Sequence, residues 1–323
     1  METPQTLQAA IQHYSDEQVC IDAVAKMRWP DGPVCPACGH KEHYYLKTQR
    51  RWKCKDCHKQ FTVKLGTVFE ESPISLTKWL PALWMLISCK NGVSSYEISR
   101  SLGVSQKAGW FMLQRLRLAL QDGSLTKLGG GSAPVQVDET FIGGKARNMH
   151  KAKRQRLSRD AGGLQGGNGK AVVVGLLERG GKVKTAVIPN RKHNLPEKIV
   201  REHVQAGAEV HTDEFGGYYN LKDGYVHKVV NHLEGYVKEN VHTNGIENFW
   251  CLLKRGLSGT YVSVEPFHLF RYVDEQAFRY NNRKDAHGNK LSDSDRFQLA
   301  LSQIAGKRLT FAEVTGKVGE TAF

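Results

Sequence analysis

The stretch "EVHTDEFGG" (209–217) ends a short apolar run in two adjacent carboxylates and two glycines. Asp and Glu are poor strand formers, and neighbouring like charges repel, so folding alone gives no reason for the pair. An earlier stretch, "VQVDETFIGG" (135–144), echoes it. Either both are ordinary turns, or both place an acid at a strand end for chemistry. Around them, "AVVVGLLE" (171–178), "KVKTAVIP" (182–189) and "GYVHKVVNH" (224–232) read as strands, and "NLPEKIVREHV" (194–204) and "TNGIENFWCLLKRGL" (243–257) as helices. Three antiparallel strands followed by alternating helices and strands predict a layered α/β domain on a mixed five-stranded sheet. Sites in open α/β sheets form at strand ends, which brings Asp138 and Asp213 forward as candidates.

The helix at 243–257 supplies a third acid. Ile246, Phe249, Trp250, Leu253 and Leu257 form its apolar stripe, with Glu247 beside it and Lys254 two turns on along the same face. Carboxylates converging from two strands and a helix can hold two divalent cations, the arrangement that activates an attacking oxygen and stabilises a leaving one in phosphoryl transfer. Oxygen ligands with room for water select Mg²⁺ or Mn²⁺. A second reading stands beside this one: Asn244-x-x-Glu247 is a good capping box and by itself explains both residues. Glu139 and Glu214 match by residue type. Strand alternation, however, points them to the face opposite Asp138 and Asp213.

Upstream lie two smaller regions. Cys35, Cys38, Cys54 and Cys57 follow C-x2-C-x15-C-x2-C spacing, which predicts a closed tetrahedral Zn²⁺ site with no position left for substrate. "HYYLKTQRRWK" between the pairs alternates as a small hairpin would, and a module this small depends on its metal. Residues 74–90 read as a buried helix that Pro81 bends or splits. "NGVSSYEISRSLGVSQKAGWFMLQRLRLAL" (91–120) reads as helix, turn, helix, with the break at Gly103 and Ser105 as N-cap. A helix-turn-helix offers the start of its second helix to the major groove, here Ser105, Gln106 and Lys107; a plain packed helix pair is the alternative. The domains expected are 1–70, 71–120, a Gly/Ser-rich linker at 121–134, and 135–323.

The 323 residues carry a formal charge of +14, which points to a polyanionic partner. A membrane is disfavoured. The first residues lack the n- and h-regions of an export signal, and the best apolar run, "WLPALWMLI" (79–87), is about half a span. Seven cysteines, an odd number, argue for a reducing compartment, and the two tight pairs among them argue for a metal. "KARNMHKAKRQRLSR" (145–159) reads as a mobile basic loop suited to clamp DNA, through Lys145, Arg147, Lys151, Lys153, Arg154, Arg156 and Arg159.

Taken together, "VDETFIGG", "HTDEFGGY" and "HTNGIENFWCLLKRGLSGTYVSVEPFHLFRYVDEQAFRYNNR" resemble the catalytic core of bacterial insertion-sequence transposases of the ISXO type. That group belongs to the DDE superfamily, and its members often carry a zinc ribbon like "CPACGH…CKDC". The resemblance runs over roughly 35–310, with several motifs in order. It implies a ribonuclease H-like catalytic domain behind the ribbon and helical segment. It also implies a metal-binding triad of Asp138, Asp213 and Glu247, with Lys254 at the basic position and Asn244 in reserve for the third place. The implied activity is metal-dependent cleavage and strand transfer at element ends, with terminal inverted repeats and target DNA as partners. A homo-oligomer acting in the bacterial cytoplasm, at the nucleoid when bound to DNA, is expected. Two rivals stand: a non-catalytic DNA-binding regulator, which would not need all three acids, and a ribonuclease H-like nuclease, which would cut without joining strands.

Overall fold

A computed structural model describes residues 3–121, 123–131, 133–144, 148–160, 169–190, 195–214, 216–230 and 241–317. The chain divides into two compact units, Met1–Gln121 with Asn282–Glu320, and Asp122–Asn281. The sequence expectation kept the C-terminal helices with the α/β domain. Instead, α10 (Asp293–Ser302) packs on α3 (Leu76–Ser88), and α11 (Phe311–Val314) on α5 (Gln106–Leu120). Lys307 fixes this return by donating to the Ala119 and Gln121 carbonyls at the end of α5.

In the first unit, α1 (Leu7–His13) and α2 (Glu17–Arg28) precede a three-stranded antiparallel sheet in the order β1 (His43–Leu46), β2 (Arg51–Cys54), β3 (Gln60–Phe61). The predicted hairpin is present, and β3 is an addition too short to leave a periodic signal. Pro81 neither splits nor ends α3, which runs unbroken and almost wholly buried. Between α4 (Ser95–Leu102) and α5, Gly103 takes φ +59 and Ser105 accepts from the Ala108 N–H at 3.2 Å, so the predicted break and cap both form.

The second unit is a five-stranded sheet in the order β6 (Val183–Ile188), β5 (Ala171–Glu178), β4 (Val135–Ile142), β7 (Glu209–Thr212), β8 (Val226–Val229). β4, β5 and β6 are antiparallel neighbours, while β4–β7 and β7–β8 are parallel. One face buries Val135, Val137, Val172, Val174 and Val210 with α7 (Leu195–His203) and the 3₁₀ segment Gly216–Asp223. The other buries Val173 and Leu177 beneath α8 (Asn244–Gly256) and α9 (Leu269–Asn281). Two expectations change here. Part of the expected linker is fixed, since the Leu128 N–H donates to the His203 carbonyl and the Leu128 carbonyl accepts from Gln205, both at 2.8 Å. The expected basic loop is partly helical: Lys151–Asp160 forms α6, as its Lys, Arg, Gln, Ala and Leu content favours.

α8 lies unusually close to the sheet. A Cβ on Gly175, in mid-β5, would meet the Trp250 ring at 2.6 Å and Ile246 Cδ1 at 2.7 Å. A Cβ on Gly245 would meet Gln136 Oε1 at 2.6 Å. A glycine inside a strand often marks such an approach. Gly175→Ala should therefore lift α8 from the sheet and destabilise the unit by about 1–3 kcal/mol, the usual cost of overpacking a core. Chemical denaturation of the variant against the parent measures this.

Candidate functional site

The β4–β7 pairing decides where the acids meet. Its last register is Gln136 opposite His211, and two residues further along each strand stand Asp138 and Asp213. β7 has ended by then, whereas β4 continues to Ile142, held by β5 alone. Asp138 is thus in mid-strand rather than at its end, at a place where one strand edge has lost its neighbour. Asp138 and Asp213 belong to the α8 side of the sheet, because Val137 and Val210 face the other side. Glu139 starts from that other side, as alternation predicts. At the open edge, however, its carboxylate comes within 4.8 Å of those of Asp138 and Asp213. Its expected separation from the pair is corrected, because the face rule holds only where a neighbouring strand continues.

Asp138 is the acid of this group held by two hydrogen bonds that converge on its carboxylate. The Trp250 indole N–H donates to Asp138 Oδ2 at 2.9 Å, and the Glu139 backbone N–H to Asp138 Oδ1 at 2.8 Å. Burial pushes the Asp138 carboxyl up to about 6; the Glu139 N–H and the indole act against this, and the charges of Asp213 and Glu247 add to it. Tyr218 is buried near Glu139, and burial with the Glu139 charge holds its pKa well above the usual phenol value.

Glu247 does not join the group of three acids. Its Oε1 accepts from the Thr243 hydroxyl at 2.7 Å, although its charge is felt at Asp138. The capping-box alternative is not formed either: Thr243 is the N-cap and makes no side-chain cap bond, while Asn244 is exposed at the first helical position. The α8 N-terminus is instead satisfied from the sheet, where buried Gln136 accepts the Ile246 N–H at 3.1 Å and bonds His242 Nδ1 at 3.1 Å. Gln136 thereby fixes α8 against the strand that carries Asp138. Lys254 is exposed on α8. His211 is buried and bonded to Glu209 at 2.7 Å. Gln136, Trp250 and Tyr218 were missed by sequence reasoning; only Gln136, one strand period before Asp138, had a usable signal.

A second cluster joins Cys35, Cys38, Cys54 and Cys57, all four sulfurs within 4.8 Å of one another. Cys35 lies 3.6 Å from Cys57 and Cys38 lies 3.6 Å from Cys54. Tetrahedral Zn²⁺ with bonds of about 2.3 Å sets its sulfurs about 3.8 Å apart, so the cage fits that ion.

The residues proposed to contact DNA are dispersed. Gln106 donates to Ser95 at 2.9 Å, Lys107 stands over the Phe311 ring at 4.7 Å, and α5 is buried from Met112 through Arg117. Only its first turn, with Ser105, is exposed. Lys151, Arg156 and Arg159 are exposed on α6 and Arg154 is half-buried, while Lys145, Arg147 and the Lys153 side chain lie outside the described residues.

Comparison with known proteins agrees with both clusters. Residues 127–281 match the ISXO2-like transposase domain, which spans the acidic group. Residues 15–60 match a transposase zinc-ribbon domain, which spans the four cysteines. The chain carries the domains of an ISXO2-like transposase. It is also similar to a protein of Halobacterium salinarum described as "Uncharacterized protein in transposable element ISH50", 29% identical over 265 residues, covering 77% of this chain and 85% of the relative. Among the described residues no helix is long and apolar enough to cross a membrane.

Two measurements test the clusters. Cys38→Ser should remove zinc and melt the β1–β3 sheet, read as metal content and near-ultraviolet dichroism of the tryptophans. The second concerns pH. An Asp138 that keeps its proton to about pH 6, against an ordinary 3.8, favours folding at low pH, and that contribution is lost as pH rises through 6. Added Mg²⁺ should therefore raise the melting temperature clearly at about pH 7.5 and little at about pH 5, where the proton competes for the same oxygens.

Proposed function

We propose that the protein is a DNA transposase that cleaves strands at insertion-sequence ends and joins them to target DNA in a divalent-metal-dependent reaction. The observation that carries this reading is the convergence of Asp138 and Asp213, two residues beyond the last β4–β7 pair, inside the ISXO2-like transposase match. The strand order and the helices on both faces fit a ribonuclease H-like fold. Asp138, Asp213 and Glu247 would form the triad, with Glu139 completing the cradle from the opposite face.

Mg²⁺ or Mn²⁺ held there would supply Lewis-acid polarisation of the phosphate and a more acidic bound water. The chain's own groups orient and exclude. Trp250 fixes the Asp138 carboxylate, and Gln136 holds α8 in register with β4. Exposed Lys254 would pair with a phosphate oxygen near the scissile bond. In the first step water attacks phosphorus and the P–O3′ bond breaks, leaving a 3′-hydroxyl; in the second that hydroxyl attacks a target phosphodiester and displaces its 3′ oxygen. The reading includes DNA contacts by the α5 start and by α6, action as a homo-oligomer, and a bacterial cytoplasmic location.

Asp213→Asn should lower cleavage of an element-end duplex by about a hundredfold or more, since several kcal/mol of charge stabilisation are lost, while duplex binding stays within about twofold. Cleavage that persists unchanged refutes the assignment. Glu247→Gln should fall with it and Asn244→Ala should not. An active Glu247→Gln would hand the third place to Glu139.

A further inference from the structure

The three-stranded ribbon sheet has two chemically opposite faces. Its inner face is aromatic: Trp52 packs on Phe61 at 5.8 Å and on Tyr45 at 5.1 Å, with Trp29 from the end of α2 against both Trp52 and Phe61. The Tyr45 hydroxyl donates to Gln18 of α2 at 2.7 Å. This face is the module's core.

The outer face has no such cover. Register aligns Tyr44 with Lys53 and Lys53 with Gln60 in one cross-strand row, and Leu46 with Arg51 in the next. Arg51 reaches across to Gln60 Oε1 at 3.3 Å, and Lys55 stands 5.3 Å from the Tyr44 ring centre. Tyr44 is 59% exposed, although it lies on a strand where a polar residue would serve the fold as well. Between His40 and Phe61 the sequence carries Lys41, Lys47, Arg50, Arg51, Lys53, Lys55 and Lys59 against only Glu42 and Asp56. Solubility does not require an exposed aromatic ring inside a basic, hydrogen-bonding face.

We infer that this outer face, built from Tyr44, Arg51, Lys53 and Gln60, is a binding surface for duplex DNA that enters the major groove. Charge fits it to phosphate. Two strand spacings of about 4.8 Å give the Tyr44–Lys53–Gln60 row a span of about 10 Å, within the roughly 12 Å of that groove. Arg51 and Gln60 carry the donor and acceptor groups that read base edges, Lys53 pairs with phosphate, and Tyr44 packs its ring on the groove wall. The inference rests on the transposase reading only in taking DNA as the partner, and it locates recognition in the ribbon rather than in the start of α5.

The test uses the full zinc-loaded chain and labelled element-end DNA of about 30 bp, titrated by anisotropy at several salt concentrations. Arg51→Ala with Lys53→Ala should weaken duplex binding at least tenfold and reduce the salt slope by about 1, the unit lost with the Lys53 phosphate contact. Tyr44→Ala should weaken binding severalfold with the slope unchanged. Lys198→Ala, which removes an exposed charge in the other unit, should leave the affinity within about twofold and the slope unchanged. Zinc content is measured beside each titration; if the double variant loses metal, Lys53→Gln alone carries the test with a slope change of about 1. Parental affinity and slope in a zinc-loaded variant overturn the inference, as does equal or tighter binding of the single strand with Tyr44→Ala acting there alone. Asp213→Asn should bind the duplex as the parent does, so failure of this surface and failure of the proposed chemistry are separately visible.

Discussion

Three carboxylates within 4.8 Å of one another carry a mutual repulsion that the fold must contain. Nothing in the packing of the sheet calls for them, and a buried charge without a partner is costly. The fold meets part of that cost at Asp138, which accepts from the α8 indole N–H and from the Glu139 backbone N–H. Burial first, and then the charges of Asp213 and Glu247, nevertheless keep its carboxyl raised. A cation in the cradle would remove the remainder, so the arrangement makes chemical sense as a site and little sense as a scaffold.

The supports depend on how closely α8 approaches the sheet. Gly175 and Gly245 each remove a Cβ that would collide, and Gln136 answers the helix's unmet N–H with a side chain from β4. The missing Cβ atoms therefore bear on the candidate site, because the height of α8 above β5 determines whether the Trp250 ring reaches Asp138. The ribbon obeys a different economy. Its strands are four residues or fewer, and its aromatic face is too small to order the chain without the cysteine cage.

Much of this was legible in the sequence. Valine-rich runs announced β4, β5 and β6 with boundaries that differ from the observed ones by at most one residue, because buried strands read as continuous apolar stretches. Cysteine spacing announced the metal cage. The illegible parts have identifiable physical reasons. Alternation put Glu139 on the far face, and no single-strand rule tells where a partner strand stops. The basic run at 151–160 was read by charge when its helix propensity carried the structural information. The return of α10 and α11 to the first unit lies in long-range packing of Lys307 and Phe311 on α5, to which no local periodicity corresponds.

Charge also orders events. The chain is strongly basic as a whole, yet its candidate chemistry sits in a concentrated negative spot. A phosphodiester cannot approach three carboxylates closely while their charge is unscreened, since at effective dielectric constants of about 20 each unit pair at 4 Å opposes it by about 4 kcal/mol. In the proposed reaction, affinity for DNA would therefore come from basic surfaces other than the acids, such as the ribbon face and α6, and cations would enter before or with the strand to be cut. A protein arranged in this way can hold DNA firmly in the absence of metal without cutting it.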